Sequence, residues 1–184
     1  SFDGSPSVTL LASDFTPEGQ FYFSTLLDYC VVTNGFDAPR KYDGTTLSIV
    51  SGEPPHGNYV ASHKNRLWMA KGSRLYFSDL LNIESWPVLN FIDISPNDGD
   101  YITGLMPVAD YLVITKQHSV WLLTGEGIST FSVRRIHANR GAYAPRSLAM
   151  VNDMLCFVSD DGIYFSDFTS VVLISERIRN YWNG

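Results

Sequence analysis

Carboxylates are the residues with the most chemical promise in this chain. Glu18, Glu53, Asp98 and Asp100 each stand near the start of a stretch that reads as the first strand of a repeating unit. Glycoside hydrolysis needs one carboxyl as acid and another as base or nucleophile, and acids so placed would face a shared channel. Their local settings favour a simpler use. Pro17-Glu18-Gly19, Glu53-Pro54 and Asn97-Asp98-Gly99 are turn sequences, in which short polar side chains bond to nearby backbone. The Asn97-Asp98-Gly99-Asp100 run has oxygens suited to calcium, but the dozen-residue loop with a closing Glu is absent.

Other chemistry finds less support. Gly125-Glu126-Gly127 has Thr130 where a dinucleotide loop needs its third glycine. Gly127-Ile128-Ser129-Thr130-Phe131 lacks the last glycine of a nucleophile elbow. His56, His63, His118 and His137 are scattered, without zinc-site spacing. Ser159-Asp160-Asp161-Gly162 is one residue short of the aspartate box of sialidase propellers and lacks its closing Trp, so a hairpin turn is expected there. Cys30 and Cys156 sit in apolar strand-like runs and read as inert, reduced thiols. One basic cluster stands out: Arg134, Arg135, Arg140 and Arg146, with His137. It suits an acidic partner face or phosphate, or simply a solvated strand edge.

The elements that must position these groups are strands. Charged residues make 17% of the chain, below the usual quarter or so, which excludes a disordered chain. Aromatics reach 14%, which suits a β-rich fold. A net charge of −6 weighs against a general nucleic-acid wrapper. No apolar run is long enough to span a bilayer, and no signal peptide is expected.

Three segments align with one another: 65–79, 110–123 and 153–167. Their anchor leucines, Leu67, Leu112 and Leu155, are spaced by 45 and 43 residues. The pairs Leu67/Leu75, Leu112/Val120 and Leu155/Ile163 all lie 8 apart, so all six should be buried at equivalent places. Each segment reads as a hairpin, preceded by a weaker strand and followed by another. Four antiparallel strands per period of about 43 residues is the sequence form of a β-propeller blade. The expected fold is all-β: a propeller-like array of about four four-stranded blades in one domain, open to being part of a larger propeller. Its units are about 17–52, 53–96, 97–139 and 140–176. Ser7–Ala12 reads as a lone strand left over from a preceding blade, and Glu176–Trp182 as a short helix. The loop 78–90 reads as an exposed insertion suited to contacts, with Trp86 in it.

The ordered pieces Thr33-Asn34-Gly35, Ala38-Pro39-Arg40-Lys41-Tyr42-Asp43-Gly44, His63-Lys64-Asn65-Arg66-Leu67-Trp68, Leu75-Tyr76-Phe77-Ser78-Asp79, Glu84-Ser85-Trp86, Asp98-Gly99-Asp100-Tyr101-Ile102-Thr103-Gly104-Leu105, Gly141 and Asp161-Gly162-Ile163-Tyr164 resemble virion structural proteins of tailed bacteriophages. Their relatives there are propeller-containing neck and tail proteins: nozzle, tail-hub or packaged-DNA stabilisation proteins. The resemblance covers roughly residues 29 to 178. It implies a structural, non-enzymatic role in a virion assembled in the host cytoplasm, with no catalytic, cofactor or metal residues to carry over. The implied partners are other virion proteins, further copies in a homo-oligomeric ring, and packaged DNA passing a channel that a negative chain would not grip. Arg134, Arg135, Arg140 and Trp86 are the expected partner contacts. The competing expectation is a carbohydrate- or receptor-binding propeller that uses Trp and Tyr platforms, with a glycosidase behind it.

Overall fold

The computed structural model describes residues 9–176. Its strands form four antiparallel sheets, each with its four strands in sequence order. Blade 1 holds β1 (Tyr22–Leu26), β2 (Tyr29–Thr33), β3 (Arg40–Tyr42) and β4 (Leu47–Ile49). Blade 2 holds β5 (Tyr59–His63), β6 (Arg66–Lys71), β7 (Arg74–Phe77) and β8 (Phe91–Asp93). Blade 3 holds β9 (Ile102–Val108), β10 (Tyr111–Lys116), β11 (Val120–Thr124) and β12 (Ser132–His137). Blade 4 holds β13 (Ala149–Val151), β14 (Met154–Val158), β15 (Ile163–Ser166) and β16 (Val171–Leu173). The molecule is therefore an all-β, propeller-like array of blades.

In every blade a two-residue turn joins the first and second strands, closed by Leu26↔Tyr29, His63↔Arg66, Val108↔Tyr111 and Val151↔Met154. Such turns match strand twist when the central residues take positive φ. Lys64 and Asn65 do so at 48° and 55°, and Asn152 and Asp153 at 48° and 61°. Leu27 and Ala109, at 55° and 40°, are forced there by the hairpin against their own preference. Gly72, at φ 61°, closes β6 onto β7.

Each blade has two apolar faces because successive side chains alternate. One face meets the preceding blade and the other meets the next. Val31 of blade 1 packs with Val60, Leu67 and Met69 of blade 2. Trp68, Leu75 and Phe77 of blade 2 pack with Leu112, Ile114 and Leu123 of blade 3. Val113, Val120 and Leu122 of blade 3 pack with Leu155, Phe157 and Tyr164 of blade 4. The first strands β1, β5 and β9 lie side by side along the axis.

Leu67, Leu112 and Leu155 are fully buried at one repeated position, each facing the preceding blade. Leu75 and Val120 are fully buried against the following blade. Ile163 departs from the expectation and is only half-buried, because among the described residues no blade packs on its face. The lone strand expected at Ser7–Ala12 is also corrected: residues 9–12 pair with no strand, and Ser7 and Val8 lie outside the described residues. Of the helix expected at Glu176–Trp182, all but Glu176 lies outside them too. The strand expected from Arg146 begins at Ala149, since Pro145 opens a 3₁₀ turn over Pro145–Ser147. No helix among the described residues is long and apolar enough to cross a membrane.

Truncating Leu67, Leu112 or Leu155 to Ala should each destabilise the chain by about 2–5 kcal/mol, the range for voids in tight cores. Urea unfolding of the three variants checks this, and near-neutral values would mean that the blade equivalence is wrong.

Candidate functional site

Of the four carboxylates, two are committed to structure. Lys116 ends β10 with its side chain fully buried. Its ammonium donates to the carbonyls of Ile94 (3.0 Å) and Ser95 (3.1 Å) and to Asp98 Oδ1 (2.6 Å). Three donors thus meet three acceptors, which is what a buried ammonium requires. Oxygens that suggested a calcium loop are held by a lysine. Burial pushes the Asp98 carboxyl up, but the Lys116 hydrogen bond, a backbone N–H and the Lys116 charge outweigh it and hold the carboxyl below its ordinary range.

Asp100 caps the β10–β11 turn. It accepts the backbone N–H groups of Gln117 (3.1 Å) and His118 (2.9 Å), while Ser73 donates to the Asp100 carbonyl at 2.6 Å. Glu18 and Glu53 line different clefts, so the four acids do not converge on one substrate position. Among the described residues no group of three or more His, Cys, Asp or Glu is placed to hold a metal ion.

The axial end of the array carries a different cluster. Tyr22 of β1 and Tyr59 of β5 meet edge to face at 4.7 Å between ring centroids. Burial, reinforced by the Tyr22 and Tyr101 phenols, pushes the Tyr59 hydroxyl far up, so it stays a neutral donor. The Arg146 guanidinium lies 5.7 Å from the Tyr22 ring centre, which brings the start of blade 4 to the axis of blade 1. Beside these rings is a cleft of about 280 Å³ lined by Glu18, Gln20, Tyr22, Asn58, Tyr59 and Pro145, among others.

The basic cluster of the sequence is divided by the fold. Arg134 and Arg135 lie exposed on β12, the outermost strand of blade 3, with Arg135 5.6 Å from the Trp121 ring. Arg140 turns inward to blade 4. It donates to the Tyr164 hydroxyl at 2.9 Å and pairs with Asp161 at 3.1 Å. Trp86 is half-buried against the blade 1–2 core, its indole N–H donating to the Ile83 carbonyl at 2.8 Å. The most exposed apolar residues of its loop are instead Val88 and Leu89, 88% and 83% exposed, with Leu80 and Leu81 less so.

Two polar devices were missed at the sequence level. Lys116 ends an apolar strand run, a placement that could have signalled burial. His137 of β12 reaches Ser166 of β15 at 2.6 Å, tying blade 3 to blade 4. Nothing in its spacing announced that.

No family model and no curated protein matches the chain. Solved structures match it in fold. The extracellular domain of BT4673, a two component system protein of B. thetaiotaomicron, superposes with a TM-score of 0.61 at 15% identity, over 88% of this chain and 22% of its own. The computationally designed Ika4 protein gives 0.59 at 10% identity, over 91% of this chain and 99% of its own. The Neurospora crassa Pan2 WD40 domain gives 0.55 at 9% identity, over 83% and 51%. The chain thus spans about a fifth of the first of these. At such identities the likeness is one of fold alone.

Two measurements check the polar devices. Asp98→Ala leaves a buried ammonium with neutral carbonyls only and should cost about 3 kcal/mol, the lower end for breaking a buried pair, while Asp98→Asn keeps an acceptor and should cost less. Urea titration of both variants reads the difference. Separately, burial holds the His63 and His137 imidazoles below their ordinary pKa. The unfolded chain then binds protons first, so stability is full above about pH 6.5 and is lost as pH falls through the folded values. The urea midpoint should drop between pH 7.5 and 5.5, and drop less in the His63→Gln, His137→Gln double variant.

Proposed function

We propose that this chain is a structural assembly module of a tailed-phage virion, working in the neck or tail by contact and not by turnover. The observation that carries the assembly reading is the pair of apolar sheet faces at the two ends of the array. Phe23 on blade 1 is 64% exposed and Val172 on blade 4 is 58% exposed, each on the face turned away from the other blades. Large apolar faces on a stable domain mark contact surfaces. The virion role rests on the ordered sequence resemblance. Arg134 and Arg135, on an outer strand, supply a basic rim for an acidic partner face. Packaged DNA would pass such a module without being gripped, in keeping with a net charge of −6.

A second reading, binding of a carbohydrate or receptor, is favoured by one observation. The axial cleft sets the Tyr22 and Tyr59 rings beside the amides of Gln20 and Asn58, a mixture of flat apolar and hydrogen-bonding groups.

Purified particles test the first reading. The protein should be found in the neck or tail, and Arg134→Glu with Arg135→Glu should lower its incorporation at least about tenfold while leaving circular dichroism unchanged. Arg140 is left out because its loss would loosen blade 4. Absence from particles, or glycoside hydrolysis that disappears in Glu18→Gln, would overturn the proposal.

A further inference from the structure

The two end faces repeat the pattern of an interface that the chain already builds three times. On the second strand of each blade, adjacent residues split between the two faces. Cys30/Val31, Leu67/Trp68, Leu112/Val113 and Leu155/Cys156 each stand two residues beyond the two-residue turn. The first of each pair faces back and the second faces forward. At all three internal junctions, the forward residue and the next blade's backward residue share a cluster: Val31 with Leu67, Trp68 with Leu112, and Val113 with Leu155. Among the described residues no blade supplies a counterpart to two members of this series, and both are cysteines: Cys156 facing forward and Cys30 facing back.

The surroundings repeat as well. On blade 2 the forward pairs are Trp68↔Phe77 and Ala70↔Leu75, and on blade 3 they are Val113↔Leu122 and Thr115↔Val120. Blade 4 keeps the pattern with Cys156↔Phe165 and Val158↔Ile163, and Ala149 and Val172 continue the first row across all four strands. This face is apolar throughout, as a sheet covered on both sides should be. On blade 1 the backward face carries the rows Phe23↔Val32↔Arg40↔Ile49 and Thr25↔Cys30↔Tyr42↔Leu47. Its one cation, Arg40, is already paired with Asp14 at 2.7 Å. Between this face and residues 9–15 lies an apolar groove of about 530 Å³, bordered by Leu10, Leu11, Phe21, Phe23 and Cys30.

We infer that blade 4 of one copy packs its forward face onto blade 1 of a second copy, and that two copies close head to tail into an eight-bladed ring. The count follows from closure. Among the described residues no apolar cluster joins blade 4 to blade 1, where Arg146 over the Tyr22 ring makes a cation–ring contact at the axis, so their end faces are not packed on one another within one copy. Propellers run from about four to eight blades. Two copies reach the upper end of that range, and three would exceed it. Each junction joins unlike faces, and a two-fold axis along the channel closes the ring. This inference rests on the assembly reading and names the partner as a second copy of the chain. Its place in a virion is a separate matter, since a ring in solution would survive the protein's absence from particles.

The purified chain tests this by light scattering and by thiol cross-linking with a short bis-maleimide. A particle of twice the chain mass, whose cross-linked peptides join Cys30 of one copy to Cys156 of the other, is the expected result. Phe23→Asp and Val172→Asp alter exposed side chains on opposite faces, so both variants should stay folded. Each alone should weaken dimerisation at least about tenfold. Mixing them should restore a dimer, because one junction of unaltered faces is then available. A folded monomer at all concentrations, growth beyond two copies, or failure of the mixture to restore pairing would overturn the ring. Pairing abolished by Val172→Asp but indifferent to Phe23→Asp would mean like-on-like contact and would overturn it equally. A monomer that dimerises in neither assay would assign the end faces to further blades of a longer polypeptide.

Discussion

A four-stranded blade with two apolar faces cannot stand alone, and everything else in this molecule follows from that constraint. Each blade exposes to its neighbours what an isolated sheet would expose to water. Stacking removes that surface three times within the chain, at the clusters around Leu67, Leu112 and Leu155. The burial is non-directional, so it selects sheet-on-sheet packing without choosing the order of blades. Order comes from the chain itself, because each outer strand leads to the next inner one. Stability in such arrays is a sum over neighbouring interfaces, which makes the end blades the weakest and the most available for new contacts.

Polar groups sit where this packing needs registration. Lys116, Asp98 and Asp100 fasten the connection between blades 2 and 3 onto the β10–β11 turn. His137 with Ser166, and Arg140 with Tyr164, do the same between blades 3 and 4. Apolar faces alone would slide, whereas a buried donor without its acceptor is costly, so these contacts select one offset between sheets. The same economy explains why the acids with catalytic promise do not assemble. Asp98 and Asp100 are spent on blade registration, and the two remaining candidates look into separate clefts.

The architecture offers three distinct surfaces. The ends are apolar, the rim of blade 3 is basic, and the axis gathers tyrosines from successive inner strands. An assembly role would use the first two, and a ligand-binding role the third. These surfaces are separate, so they can be altered one at a time without disturbing the blade cores between them.

Period and alternation carried the architecture in the sequence. The 45- and 43-residue spacings of Leu67, Leu112 and Leu155, and the 8-residue pairs beside them, determined four-stranded units and which residues line them. Local chemistry also determined the hairpin turn at Ser159-Asp160-Asp161-Gly162, which joins β14 to β15. Alternation reports that both faces of a strand are apolar, but not what covers each face. Only the packed structure decided that Leu75 and Val120 are sealed while Ile163, at the same place in its blade, is half-open. It alone turned Arg140 inward and left Arg134 on the rim, although the two are six residues apart and chemically identical. It alone set Trp86 against the core and Lys116 over two carbonyls. Each of these depends on which surface another part of the fold brings to the side chain, and that is a property of long-range packing that local sequence does not specify.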